Sequence, residues 1–170
     1  MFPGVLEHKP KKYGAPGRLF ATLYPSPITQ SLTVAQVSVA TSKQGIVRGV
    51  HYVAAPGQAK HVTCVSGAIW DVVVDLRRGS PTFGDWTAYL LNSGLNSLYV
   101  PVGFGHGYYA SDDAIVLYLL SQPYDPDLER EINPLDPDLD IRWPVKPVLS
   151  PRDASAPLLR DAVDLPRWKP

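Results

Sequence analysis

KHVTCV (60–65), SG (66–67) and AIWDVVVDL (68–76) read as two strands folded back on each other. Valine, threonine, isoleucine and tryptophan suit a pleated, half-buried surface, and a two-residue Ser-Gly link between such runs is a hairpin turn. Working outward, SLTVAQVSVA (31–40) alternates small or polar with apolar side chains, the period of a strand with one buried face. Gly45–Val53 is the next strand, closed by a turn at Ala55-Pro56-Gly57-Gln58. Beyond a loop at 77–84, the segments 86–91, 97–100, 107–110 and 115–121 read as further strands, and 19–23 as a short first one. Residues 1–18 read as irregular, and the proline-rich, acidic tail 124–170 has room for one or two short helices. Eighteen prolines keep every segment short, because proline interrupts helices and central strands. Many short strands with Gly, Pro, Asn and Asp between them predict an all-β jelly-roll sandwich or barrel, one domain over 1–170. Such a barrel has a mouth and an interior able to hold a small ligand.

The totals exclude several classes of function. With 170 residues the chain can bury one ordinary core. Sixteen basic and sixteen acidic side chains cancel, so there is no positive field for nucleic acid. The longest apolar run, 68–74, is broken by Asp71 and cannot cross a bilayer. The opening MFPGVLEHK lacks the basic-then-apolar order of a signal peptide, which predicts a cytoplasmic protein. Cys64 has no internal partner and reads as a buried apolar side chain.

The chemistry-bearing residues centre on GIVRGVHY (45–52), which places His51 on a strand facing a cavity. Lys60 follows nine residues on, and Tyr118 and Asp153 complete a proton-transfer set. Histidine takes and returns protons near neutral pH, and a lysine stabilises a developing oxyanion. Together they suit chemistry at a carbon beside a carbonyl. Each residue also has a plain structural account: a hydrogen-bonded strand histidine for His51, a solvated charge for Lys60, a core aromatic for Tyr118, a helix N-cap for Asp153, a turn residue for His106. His8 reads as solvated. His61, next to Lys60, points to the opposite face and reads as structural or solvent-facing. Asp71 and Asp75 share a face, and a strand edge meeting solvent is favoured there over a paired-carboxylate site.

Several longer phrases carry a resemblance: RGVHY (48–52), QAKHVTCVSGAIWDVVVDLRRGSPTFGDW (58–86), YVPVGFGHGYYA (99–110), LYLLSQPYDPDLE (117–129), DPDLDIRWP (136–144) and LSPRDASAP (149–157). In unbroken order over roughly 45–157 they resemble the dTDP-4-dehydrorhamnose 3,5-epimerase family. The resemblance implies a cupin-type jelly roll, a homodimer, no metal or other cofactor, and a nucleotide-linked 4-keto-6-deoxy sugar as substrate. It further implies that His51 is the base, Asp153 its carboxylate partner, Lys60 the group steadying the enolate oxygen and Tyr118 the acid on the opposite face. Arg48 and His106 match site residues near sugar and diphosphate, and Tyr124 and Glu129 match the rim. The N-terminal phrase Asp-x-Arg-Gly-x-Phe-x-Glu of the family is represented only by APGRLFAT (15–22), which leaves Arg18 and Phe20 as nucleotide contacts. An asparagine of the family is replaced near Ser38.

The residue types fit the reaction. Removing a proton beside a ketone needs a base in contact and a stabilised enolate. An imidazole, with an ordinary pKa of about 6.5, is largely neutral at pH 7. A carboxylate on its other nitrogen fixes the tautomer. A phenol across the sugar plane supplies the return proton that inversion requires. Two rival functions are a non-catalytic sugar-binding jelly roll, using the four tryptophans and nine tyrosines, and a metal-dependent cupin. The second lacks the paired histidines and nearby glutamate of such sites.

Overall fold

The structure is a computed structural model that describes residues 2–15, 18–24 and 32–169, the side chains of Ala15 and Arg18 excepted. Twelve strands occupy the described residues. They are β1 (Leu6–His8), β2 (Lys12–Ala15), β3 (Arg18–Ala21), β4 (Gln36–Ser42), β5 (Val47–Val53), β6 (Lys60–Ser66), β7 (Ala68–Asp75), β8 (Trp86–Asn92), β9 (Ser97–Val100), β10 (Phe104–Ala110), β11 (Ala114–Leu120) and β12 (Glu129–Glu131). One five-stranded sheet runs β1-β9-β6-β11-β4, the other β12-β5-β10-β7-β8, and β2 and β3 pair as a separate hairpin. Every strand pairing is antiparallel. The only consecutive partners in the large sheets are β7 and β8, so most connections cross from one sheet to the other, as in a jelly roll.

The 60–76 segment spans that crossing: β6 lies in the first sheet and β7 in the second. It bends around Ser66-Gly67 without forming a paired hairpin. Gly67, at φ +75°, would bring a Cβ to 2.2 Å from the Asp113 carbonyl oxygen, so the bend demands glycine. β7 lacks clean alternation because both its faces are buried. Ile69 and Val73 join the core between the sheets, with Val62, Leu91, Leu98, Tyr108 and Val116. Val72 and Val74 face outward and are covered by the tail, through Ile132, Leu139, Ile141 and Leu159. Each fully buried valine or leucine contributes about 1.5–3 kcal/mol of transfer free energy. Trp70, Trp86 and Trp143 meet edge to face on this outer side, at 5.8 and 5.6 Å from Trp70.

Several expectations are corrected. Residues 1–18 are not irregular, because β1 pairs with β9, and β2 with β3. The strand expected at 31–40 begins at Gln36 and runs to Ser42; Ser31 lies outside the described residues. The strand expected at 107–110 begins at Phe104. The tail holds the short helices expected of it, α1 (Pro151–Ala154) and a 3-10 turn at Leu159–Asp161, but also an unexpected strand, β12. Asp71 and Asp75 do not meet solvent: both are fully buried, each with its own partners. Asp75 accepts a fork from Arg77 and hydroxyl bonds from Ser80 and Thr82. Burial pushes its carboxyl up, but these donors outweigh it and hold the pKa at about 2. Among the described residues no helix is long and apolar enough to cross a membrane.

Candidate active site

A cavity of about 430 Å³ opens between the inner faces of the two sheets. One wall comes from β5 and β10, whose register pairs His51 directly with His106. The other comes from β4, β6 and β11, which contribute Gln36, Ser38, Lys60 and Tyr118. Arg48, Gln58, Tyr108, Tyr124, Glu129 and Arg152 complete the polar lining. Strand alternation explains the convergence: Lys60 and Tyr118 point inward, whereas His61 and Leu119, one step along, point out.

His51 is held from behind. Its Nε2 lies 2.7 Å from Asp153 Oδ1, and the carboxylate also accepts from the Ser150 hydroxyl at 2.9 Å. Burial pushes the Asp153 carboxyl up, but the bond and charge of His51, the Ser150 hydroxyl and the Gly49 backbone N–H together bring it below its usual range. An ionised carboxylate only accepts, so Nε2 carries the proton and Nδ1 is left as the basic nitrogen. Asp153 is not the helix N-cap. Ser150 is the cap, accepting from the Asp153 backbone N–H at 3.1 Å, and Asp153 sits at the third helical position.

His106 is no turn residue. It sits in the middle of β10, 4% exposed, with Nε2 at 2.7 Å from Asp71 Oδ2. Burial pushes the Asp71 carboxyl up, against the pull of His106 and Lys60, and Asp71 Oδ1 has no hydrogen-bond partner. On the facing wall Tyr118 stands edge to face with His106, centroids 6.1 Å apart. Burial first, then the neighbouring Tyr108 and Asp71, push the Tyr118 phenol well above its ordinary pKa, with Arg48 opposing. Burial pulls Lys60 down, while Glu129 and Asp71 lift it. The Tyr118 phenol therefore stays neutral at neutral pH, and it shares one hollow with the His51 imidazole and the Lys60 amine.

The structure brings together nearly all the residues singled out in the sequence: His51, Lys60, Tyr118, Arg48, His106, Tyr124 and Glu129 line the cavity, with Asp153 behind His51. Phe20 does not join them; it lies on the hairpin, 67% exposed, outside the cavity lining. Arg18 opens the same hairpin and its side chain is outside the described residues. Residues missed by sequence reasoning are Gln36, Ser38, Gln58, Asp71, Tyr108 and Arg152. The inward set Gln36-Ser38-Ala40 was readable from the alternation of 31–40; the pairing of Asp71 with His106, 35 residues apart, had no local signal. Among the described residues no three His, Cys, Asp or Glu side chains are grouped to hold a metal ion.

A jelly-roll cavity with histidine–carboxylate pairs on one wall and a phenol and a lysine on the other defines a site for moving protons on a small polar molecule. The profile of dTDP-4-dehydrorhamnose 3,5-epimerases matches residues 2–161, and the chain belongs to that family. It is similar to a dTDP-4-dehydrorhamnose 3-epimerase of Streptomyces niveus, 46% identical over 170 residues, covering 95% of this chain and 82% of that protein. Among solved structures it resembles a 4-keto-6-deoxy sugar epimerase from the novobiocin biosynthetic gene cluster of Streptomyces spheroides. That likeness has a TM-score of 0.92 and 45% identity, over 98% of this chain and 89% of that one. It also resembles the Legionella pneumophila 3,5-epimerase in complex with dTDP-4-keto-L-rhamnose, with a TM-score of 0.93 and 34% identity, over 99% and 96% of the two chains.

Proposed function

We propose that this protein inverts C3, C5 or both of a dTDP-linked 4-keto-6-deoxyhexose, acting as one domain over residues 1–170. The observation that carries the reading is the opposed arrangement in the cavity. A carboxylate-backed imidazole stands on one wall, and a phenol and a lysine on the other. His51 Nδ1 takes the proton from the carbon beside the 4-keto group. The ketone oxygen gains negative charge, and Lys60 meets it in a hollow where water is scarce and the attraction correspondingly strong. Asp153 stabilises the imidazolium that forms. Tyr118, held neutral by its raised pKa, gives its proton to the enolate carbon from the other side, and the configuration inverts. Every proton step is assigned to a side chain, so the reaction as drawn uses no metal or other cofactor. A volume of about 430 Å³ suits the hexose, with the nucleotide leaving past Tyr124, Glu129 and Arg48 at the mouth.

The reading extends to the setting. A nucleotide-sugar enzyme of this kind works in the cytoplasm, and we assign the protein there. We also propose a homodimer. Val37 and Val39 on the outward face of edge strand β4 are 59% and 62% exposed, and Ile115 on neighbouring β11 is 38% exposed, a bare apolar strip that a second copy would cover.

The test is NMR of dTDP-4-keto-6-deoxyglucose in heavy water. Wild-type protein should exchange ring hydrogens beside the ketone and invert the carbon. His51→Ala should stop the exchange, a loss of roughly 10²–10⁴-fold. Tyr118→Phe should retain some exchange with little inversion. Full activity in both variants would overturn the assignments.

A further inference from the structure

The proposed reaction leaves a proton debt, and this inference rests on that reading. When a C–H proton goes to His51 and the Tyr118 proton goes to carbon, the substrate is neutral again but the protein is not. It holds an imidazolium at 51 and a phenolate at 118. Before another inversion, residue 51 must lose a proton and residue 118 must gain one. The mouth is a poor route for this, since a bound sugar stands between the two walls. An enzyme that inverts two carbons of one bound sugar must even reset before release. The raised pKa of the Tyr118 phenol makes its anion a strong base that draws a proton from any donor in reach.

A donor stands behind it. Tyr108, 1% exposed, borders the same cavity, and Tyr118 packs against the core cluster to which Tyr108 belongs. Its hydroxyl is in turn 2.8 Å from Ser42 Oγ. Ser42, at the end of β4, borders a second hollow of about 490 Å³ between β4, β5 and the segment leading into α1. That hollow is also bounded by His51 and Asp153, the groups that hold the surplus proton. Three hydroxyls, on Tyr118, Tyr108 and Ser42, thus lie between the inside of one cavity and the edge of another, the last two hydrogen-bonded to each other, and the far cavity touches the other half of the acid–base pair.

We infer that Tyr108 and Ser42 are a proton relay that recharges Tyr118 after each inversion, drawing on water in the second hollow. The protons balance. The Tyr108 O–H bond breaks as a new O–H forms on Tyr118; the Ser42 proton passes to Tyr108; water in the hollow gives one to Ser42. The resulting hydroxide takes the proton that the imidazolium at 51 releases into the same hollow. No electron is transferred and no other reactant is consumed. Tyr108 and Ser42 need not touch the sugar. They act through Tyr118 and are positioning residues in that sense.

Two buried hydroxyls that merely satisfy each other would leave kinetics untouched, and rapid-quench measurement separates the cases. With dTDP-4-keto-6-deoxyglucose in excess, Tyr108→Phe keeps the ring and removes the hydroxyl. It should show a burst of one inversion per site followed by turnover at least about tenfold slower than wild type, whose progress is linear from the start. Ser42→Ala, which deletes the last of the three hydroxyls, should show the same burst with a smaller slowing, and decides the matter should Tyr108→Phe fail to fold. Linear progress at the wild-type rate overturns the relay. So does an equal slowing of the first and later turnovers, which would mean that Tyr108 only packs against Tyr118. Tyr118→Phe run alongside separates the two levels of the argument. If it inverts normally, the assignment of the acid falls; if it is blocked while Tyr108→Phe shows no burst, the relay alone falls.

Discussion

At the scale of single residues, three imidazoles in one fold do three different things. His51 and His106 each have a carboxylate 2.7 Å away, but His61, 1% exposed on the opposite face of β6, has no hydrogen-bond partner at Nε2 among the described residues. Burial, with a smaller push from His8, holds its pKa at about 4. Folded protein therefore keeps His61 neutral down to that pH, while the unfolded chain takes up the proton near 6.5. Between those values the unfolded state binds more protons, so stability is complete above about pH 6.5 and falls by roughly 3 kcal/mol as pH drops to 4. Asp75, held at about 2, adds a second loss of roughly 2–3 kcal/mol as pH falls from about 4 to 2. His61→Leu should flatten the decline between pH 6.5 and 4 and leave the lower one in place. Urea titrations at pH 7, 5.5 and 4.5 measure this, and an unaltered slope would remove His61 as the cause. Asp153→Asn should fold normally yet turn over about 10²–10⁴-fold more slowly, since an amide can donate and so admits the wrong imidazole tautomer. The inward or outward side of His51, Lys60, His61 and Tyr118 was legible from strand alternation, and the family resemblance gave Asp153 as the partner of His51, but the partner of His106 was not legible, because Asp71 comes from a strand that only the folded chain brings near.

At the scale of elements, the site depends on how closely β5 and β10 approach. Gly107 faces Gly49 across the pair, next to a register shift between His106 and Tyr108. A Cβ on Gly107 would lie 2.7 Å from the Arg48 carbonyl oxygen; one on Gly49 would lie 2.6 Å from the Gly107 Cα, at a φ of +111° that side chains rarely adopt. Both contacts are with backbone, so the strands themselves would have to part. Gly107→Ala should destabilise the fold by about 1–3 kcal/mol and Gly49→Ala by more, since it adds backbone strain to the clash. Both should lose activity in excess of their stability loss, because His51 and His106 are register partners at this point. Denaturant melts paired with kcat/KM provide the comparison. Elements whose residues face a buried side were readable: the 45–53, 60–65, 68–76, 86–91 and 115–121 runs all became strands within a residue or two of the expected ends. Those missed take their structure from pairing alone. β12 is Glu-Arg-Glu and exists because it lies along β5. The short strand expected at 19–23 is β3, Arg18–Ala21, but its partner β2 was missed: the hairpin leaves Tyr13, Leu19 and Phe20 more than half exposed, so no apolar period marks the pairing.

At the scale of the whole molecule, the two sheets are finished differently, and the difference bears on assembly. The tail from Ile132 to Leu165 lies over the outer face of the β12-β5-β10-β7-β8 sheet, burying Leu139, Ile141, Leu159 and Ala162 and carrying Asp153 to His51, 102 residues away. Tyr52, the neighbour of His51 on the opposite face, fastens this tail by donating its hydroxyl to the Val163 carbonyl. Among the described residues the other sheet has only a small outer cluster, in which Leu32 and Val34 cover Ala59, Leu119 and Tyr99. Among the described residues that cover ends toward the β4 edge, and Val37 and Val39 stand bare on a strand with no partner on its outer side. An exposed apolar edge strand invites a partner, and natural proteins rarely leave one open. A second copy is the occupant that fits the proposed homodimer, and because Gln36 and Ser38 on the inward side of the same strand line the cavity, assembly would brace the wall that faces the imidazoles. Sedimentation velocity at micromolar concentration should show a dimer for the wild type. Val37→Lys with Val39→Lys places two like charges on each face and should yield monomers that still melt cooperatively, because neither side chain contributes to the core. A monomeric wild type, or a double variant that remains dimeric, would place the interface elsewhere and leave β4 as an edge guarded by some other means.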